Sequence, residues 1–284
     1  MSVPTAAPGR LGIFVGETAK LPAFLRRDFL VALSYRVVFI SDILGLAVQA
    51  LLFYFVGQLV DPSSLPTYGG STTSYIEFVV IGVAVGVFVQ LGLSRVAVAF
   101  RQEQLQGTLE SMLVTPTAPA TIQLGSVVFD LVYIPLRTLV FLGVMAAVFG
   151  LEFEVSGALP ATLVLIAFVP FVWGLGVLGA GMILTFRRGS GIVGIVGGLL
   201  ALLSGAYFPL TLLPDWVQTI AEANPMAITL DGMRESLLAG ADWGATAEDL
   251  AILLPLSFFA LLGGMAGFRA ALRRERSRGT LGVY

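Results

Sequence analysis

Apolar residues come in six long runs along this chain, at residues 37–60, 75–100, 122–149, 158–186, 191–208 and 247–268. Each run is long enough for a helix across a hydrocarbon core about 30 Å thick. Between the second and third runs the pattern changes from continuous to periodic. Residues 101–116 read RQEQLQGTLESMLVTP, with Leu105, Leu109, Met112 and Leu113 at helical spacing. Gln102, Glu103, Gln106 and Glu110 fill the rest of that helix. A short amphipathic helix at the neck of two spans cannot bury its apolar stripe against itself. It lies on the membrane surface or docks into a partner. A helix resting on lipid usually carries Lys and Arg on its polar face. This one is acidic and amide, which favours a protein groove.

A second amphipathic stretch, residues 17–35, is basic. Leu21, Phe24, Leu25, Phe29 and Leu30 fit one face, with Lys20, Arg26, Arg27 and Asp28 largely elsewhere. It suits the headgroup layer of an anionic inner leaflet, in preference to being the start of the first span. The predicted fold is therefore an all-α membrane protein. A flexible cytoplasmic tail (residues 1–16) leads into the interfacial helix, then into a six-helix transmembrane domain (36–268) and a basic cytoplasmic tail (269–284).

Charge sets the orientation. Arg10, Lys20, Arg26, Arg27 and Arg36 precede the first span, and Arg95 and Arg101 flank the second connection. Arg187 and Arg188 sit in the fourth, and Arg269, Arg273, Arg274, Arg276 and Arg278 follow the sixth span. With six spans all of these fall on one side, which the positive-inside rule makes cytoplasmic. The opposite connections carry acidic residues, with Arg234 the lone cation among them. Both termini and the 101–116 helix are thus expected inside.

Composition agrees with a membrane protein. The chain is 57% hydrophobic and 12% charged, about half the charge of an ordinary soluble domain, with a mean hydropathy of +0.92. Cysteine and histidine are absent, which excludes disulfides, a Cys/His zinc site and a histidine-based triad. No metal site is expected. The single lysine, Lys20, lies outside any phosphate-cradling glycine loop, so an ATP-driven process needs its ATPase on another chain.

Three charged residues, Asp42, Asp130 and Arg137, fall inside predicted spans, where such residues face protein or water. Asp130 and Arg137 share a helical face two turns apart, with Pro135 between them as a candidate kink. Arg137 is expected to meet an acid on another helix, with Asp42 the candidate, and Arg95 to reach Asp130. An interhelical ion pair is favoured over a proton or substrate relay. Gly82/Gly86, Gly194/Gly198 and Gly263/Gly267 are spaced for close helix packing.

Beyond the fifth run come Gly205-Ala206-Tyr207-Phe208-Pro209, Leu213-Pro214-Asp215-Trp216, Asn224-Pro225 and Asp231-Gly232-Met233-Arg234. Pro214 opens a short helix with Asp215 at its positive end, and a second short helix follows Asn224-Pro225. Trp216 suits a membrane interface. A folded external segment of this kind closes an exit or is inert.

Glu103, Gly107-Thr108-Leu109-Glu110, Leu113 and Thr115-Pro116 together resemble the coupling segment of type-2 ABC exporter permeases, the family of daunorubicin-resistance, nodulation-factor and polysaccharide exporters. The order Gly-x-x-Phe-Pro, Leu-Pro-x-Trp, Asn-Pro, Asp-x-x-Arg resembles the same family's external re-entrant region. The resemblance implies a permease dimer, a homodimer in the first instance, working with separate ATPase subunits that hold ATP and Mg. No cofactor is then bound by this chain. Arg101 and the coupling residues would face the ATPase, with Arg187 and Arg188 in a smaller second contact. Pro209, Pro214, Trp216, Asn224, Pro225, Asp231 and Arg234 would form an external gate. Phe53, Phe88, Tyr207 and Phe208 would lie near the route of a hydrophobic or amphipathic cargo. Membrane lipids are the other expected partner, and nucleic acid is not one. The first external loop, residues 61–74, is long for this pattern and leaves the cargo class open, with lipid-linked polysaccharide as the alternative.

Two readings from other classes compete. An intramembrane enzyme would rest on an Asp42/Asp130 dyad, but neither aspartate sits in a Gly-x-Gly-Asp setting. A non-transporting scaffold is the other.

Overall fold

A computed structural model describes residues 21–34, 36–61, 65–105, 128–186 and 190–278. The described chain is helical apart from one two-stranded hairpin. Its elements are α1 (Leu21–Ser34), α2 (Arg36–Gly57), β1 (Thr67–Tyr68), β2 (Ser71–Thr72), α3 (Tyr75–Leu105) and α4 (Val128–Phe149), followed by α5 (Ala158–Phe186) and α6 (Ser190–Leu202). The last three are α7 (Asp215–Glu222), α8 (Pro225–Ala239) and α9 (Trp243–Arg278). Single 3-10 turns at Val155–Gly157 and Leu210–Leu212 precede α5 and α7.

Four helical stretches among the described residues are long and apolar enough to cross a membrane: Tyr75–Arg95, Val132–Phe149, Val155–Ile183 and Trp243–Arg274. α3 and α5 form the centre. In α3, 72% of the span is buried, against 17% in α9, which packs on α5 and turns its other sides outward. α2 and α4 lean on α3 from one side and α6 from another. Val37, Ile40, Leu44, Val48, Leu52 and Phe55 of α2 stay exposed, as do Ile252, Phe258, Phe259 and Leu262 of α9. Such an outer surface suits hydrocarbon, because burial from water does not drive helices together within a bilayer. Close backbone approach does more there. Gly174 of α5 meets the α9 backbone at Ala260 and Gly264, and the Ser257 hydroxyl donates to the Ala167 carbonyl at 2.7 Å.

Several boundaries differ from the expected ones. α3 does not stop at Phe100 but continues through Arg101 to Leu105, so 31 residues extend about 46 Å, more than the bilayer core requires. α6 stops at Leu202, six residues short of the predicted Phe208. α4 runs through Pro135 as one helix. In α9 the packing glycines are Gly264 and Gly267, which meet Gly174 and Leu178 of α5, while Gly263, Gly194 and Gly198 face open space. The basic amphipathic stretch is helical from Leu21 to Ser34; it packs on α4 and leaves Leu25, Phe29 and Leu30 exposed.

Candidate functional site

α6 is 13 residues long, about 20 Å, and its apolar run then continues as non-helical chain to Pro209. Gly205 makes the turn at φ +72°, a conformation that residues with a Cβ rarely adopt. Ser204, Gly205, Ala206 and Pro209 are all buried. Irregular backbone is tolerated at membrane depth only where protein satisfies its polar groups, and two side chains from the following segment do this.

Asn224 is the first. Its Nδ2 donates to the carbonyls of Leu200 and Leu203, 2.9 Å each, and its Oδ1 accepts from the Met226 amide at 3.0 Å. One amide thus satisfies orphan carbonyls at the end of α6 and caps the start of α8. Pro225 follows at the first helical position, where its missing N–H costs nothing.

Arg234 of α8 is the second, with 1% of its surface exposed. Its Nη2 donates to the Gly205 carbonyl at 2.9 Å and to the Phe78 carbonyl at 3.0 Å; Nε also reaches Phe78, at 3.3 Å, and Nη2 touches the Ala206 carbonyl at 3.5 Å. The guanidinium carbon lies 3.5 Å from the centre of the Phe78 ring, a cation–π arrangement. Asp231, one turn back, is 3.8 Å from Nη1 and accepts from the Tyr68 hydroxyl at 3.4 Å. Burial pulls the arginine below its ordinary pKa, and Tyr68 and Asp231 act in the opposite sense. The Tyr68 hydroxyl is pushed up to about 12, chiefly by burial. Tyr68 is therefore a neutral donor at neutral pH.

The knot joins three parts of the chain: the start of α3, the turn after α6, and α8. Ser74 and Glu77 form a reciprocal cap at the start of α3, with Ser74 N donating to Glu77 Oε2 at 2.9 Å. Tyr75 donates to the Tyr207 carbonyl at 3.0 Å. The Ala206 carbonyl lies directly on Gly82, where any Cβ would collide with it. The β1–β2 hairpin of the long first loop reaches α8 through Tyr68, and Gly69 packs on Ala239. Sequence reasoning named Asn224, Asp231 and Arg234, and Gly82 as a close-packing glycine, but missed Tyr68, Tyr75 and Phe78. The lone cation in an acidic segment was the available signal; its carbonyl partners carry no signature in sequence.

The aromatic residues divide. Phe53 of α2 stacks on Tyr207 with centroids 5.6 Å apart, and Tyr207 and Phe208 are half-buried. Phe88 is fully buried, 6.0 Å from Phe168 of α5, so it faces the bundle interior. Pro214 precedes α7, which begins with Asp215, and Trp216 on that helix is 71% exposed.

Asp130 and Arg137 are both buried in α4. The charges of Arg95 on α3 and Asp28 on α1 both act on Asp130. Arg137 borders a small pocket lined by Ala84, Val87 and Leu91 of α3. Asp42 lies on α2, and its side chain is outside the described residues. Arg101 and Glu103 occupy the last turns of α3. Gly107, Thr108, Leu109, Glu110, Leu113, Thr115, Pro116, Arg187 and Arg188 lie outside the described residues.

Compared with known families, residues 20–238 match the family model described as ABC-2 type transporter. A search of curated proteins finds no match.

Proposed function

The chain belongs to the ABC-2 type transporter family, whose membrane domain is a transport permease subunit, and we propose that it forms the membrane-spanning half of an ATP-driven exporter. The proposed topology has six spans, with both termini inside. Arginine segregation supports it, and so does the 22-residue, nearly uncharged α2, which is long enough for a first span. α6 with the buried turn after it makes the fifth, completed by protein rather than by helix.

The family implies an ABC ATPase partner that holds ATP and Mg. Docking is assigned to the extension of α3 and residues 106–116, with Arg187 and Arg188 as a second contact. α3 supports this assignment, because its rigid helix carries the chain out of the bilayer toward that segment. Two copies of the permease would enclose the route. A hydrophobic or amphipathic cargo, drug-like or lipid-like, fits the half-buried aromatic surface of Phe53, Tyr207 and Phe208. The outer gate is assigned to the segment from Pro209 to Arg234.

The observation that carries this reading is Arg234, which locks the outer end of the fifth run against α3 and α8. The test is co-expression with an ABC ATPase subunit from the same genome, co-purification, and ATP hydrolysis measured across a panel of amphipathic compounds. A stable complex with cargo-stimulated hydrolysis is expected. An isolated chain that hydrolyses ATP by itself, or no complex under any condition, would refute the assignment.

A further inference from the structure

α9 is one continuous helix of 36 residues, about 54 Å, which exceeds a bilayer core by some 24 Å. Sequence shows where the excess lies. Between Asp249 and Arg269 there are 19 consecutive residues without a charge, a rise of about 28 Å that matches the hydrocarbon core. Arg269 therefore stands at the inner boundary of the core. Arg273 follows one turn later, about 6 Å further out, within a headgroup layer some 5–8 Å deep. In residues 269–278 there are five arginines and one glutamate.

The packing fixes which way this stretch faces. Phe268 and Ala271 lie against Gly181 of α5, and Leu272 packs on the core cluster. Arg269, Arg273 and Arg274 are exposed. Among the described residues no carboxylate pairs with these three arginines.

We propose that this face of α9 is a binding site for anionic phospholipid, with Arg269 and Arg273 holding the headgroup phosphate. Depth and charge together choose the occupant. A soluble protein does not reach a side chain at the hydrocarbon boundary, whereas a lipid phosphate sits there. The planar guanidinium offers two parallel donors to phosphate oxygens. α9 is a rigid spanning helix, so a lipid held at its inner end is held against the bundle itself, separate from the general attraction of a basic tail. The proposal rests on the inward orientation given above.

The experiment compares the full permease–ATPase complex in nanodiscs of phosphatidylcholine alone and of phosphatidylcholine with phosphatidylglycerol. Retained phosphatidylglycerol is quantified by mass spectrometry after detergent extraction. The variant Arg269→Gln/Arg273→Gln should lose about fivefold in affinity per charge removed, roughly 25-fold together. Arg269→Lys/Arg273→Lys keeps the charge and should recover most of it. Unchanged phosphatidylglycerol retention in the Gln variant overturns the proposal. So does an equal loss of ATPase recovery in zwitterionic detergent, which would assign the arginines to a protein contact. A reporter fused after Tyr284 separates the two levels. A periplasmic signal in the unsubstituted chain overturns the orientation and the lipid site with it, whereas a cytoplasmic signal with unchanged retention overturns the lipid site alone.

Discussion

Replacing Arg234 by methionine is the sharpest test of the outer knot. The substitution keeps a long flexible side chain and removes every donor. Two contacts matter most: the 2.9 Å bond to the Gly205 carbonyl and the 3.0 Å bond to the Phe78 carbonyl. Phe78 lies in a helix, so its carbonyl keeps a route to a backbone partner. Gly205 does not, because it is buried in non-helical chain. A hydrogen bond to a charged group contributes about 1.5–3 kcal/mol, and a buried carbonyl left unpaired costs about 1–3 kcal/mol. Against this stands the relief of no longer burying a guanidinium, which offsets part of the loss. We take the net as about 2–4 kcal/mol, concentrated on the 203–209 turn. Hydrogen exchange reads that quantity directly. Protection of amides in 203–209 should fall about 30- to 1000-fold in Arg234→Met, while the buried middle of α5 is unchanged. Arg234→Lys should be intermediate, since a point charge reaches one carbonyl but cannot span both. If protection of 203–209 survives intact in a folded Met variant, the knot is not what holds this turn.

Four other substitutions, with two controls, follow from the same geometry and from the proposed docking. Asn224→Ala removes a helix cap and two further bonds, and should lower stability by about 2–4 kcal/mol, read as thermal unfolding in detergent. Gly82→Ala drives a methyl into the Ala206 carbonyl and should cost about 1–3 kcal/mol, whereas Gly194→Ala meets open space and should leave the melting temperature unchanged. Leu109→Asp should leave membrane insertion intact but reduce ATPase co-recovery at least tenfold, and Glu110→Ala should weaken it by about 2–5 kcal/mol if the contact is desolvated. Glu152→Ala, on the opposite side in the proposed topology, is the control, and wild-type recovery of the Leu109→Asp complex would return residues 101–116 to the lipid surface.

The four helices long and apolar enough to cross a membrane were legible because long apolar runs are a strong signal. The end of α6 was not legible. Residues 191–208 are continuously apolar or small, so periodicity does not separate the helix to Leu202 from the turn beyond it. What ends the helix is remote: Asn224 takes the last carbonyls of α6, and Arg234 takes that of Gly205. Glycine spacing was right in part. Gly82 and Gly267 meet Ala206 and Leu178 closely, but Gly263, Gly194 and Gly198 face open space, and Gly264 packs on α5 outside the named pairs. Of the candidate site, Asn224, Asp231 and Arg234 were readable as unusual polar residues. Tyr75 and Phe78 were not, because at the start of α3 they look like any aromatic residue opening a span.

The end of the bundle that the proposed topology places outside is held unevenly. Charge-assisted bonds and backbone contacts tie the turn after α6 to α3 and α8, at several kcal/mol in sum. Toward α2, the contacts described are the packing of Gly57 on the Tyr75 ring and the Phe53–Tyr207 stack, a geometry that adds about 0.5–1.5 kcal/mol beyond area burial. Area burial adds little between helices surrounded by lipid tails. Separation of α2 from the knot is therefore cheaper than any rupture within it. On the exporter reading, an outward opening follows that seam, with the start of α3, the turn and α8 moving together. The half-buried aromatic surface of Phe53 and Tyr207 is then what an opening uncovers, whereas Phe88, locked against Phe168, stays inside the moving body.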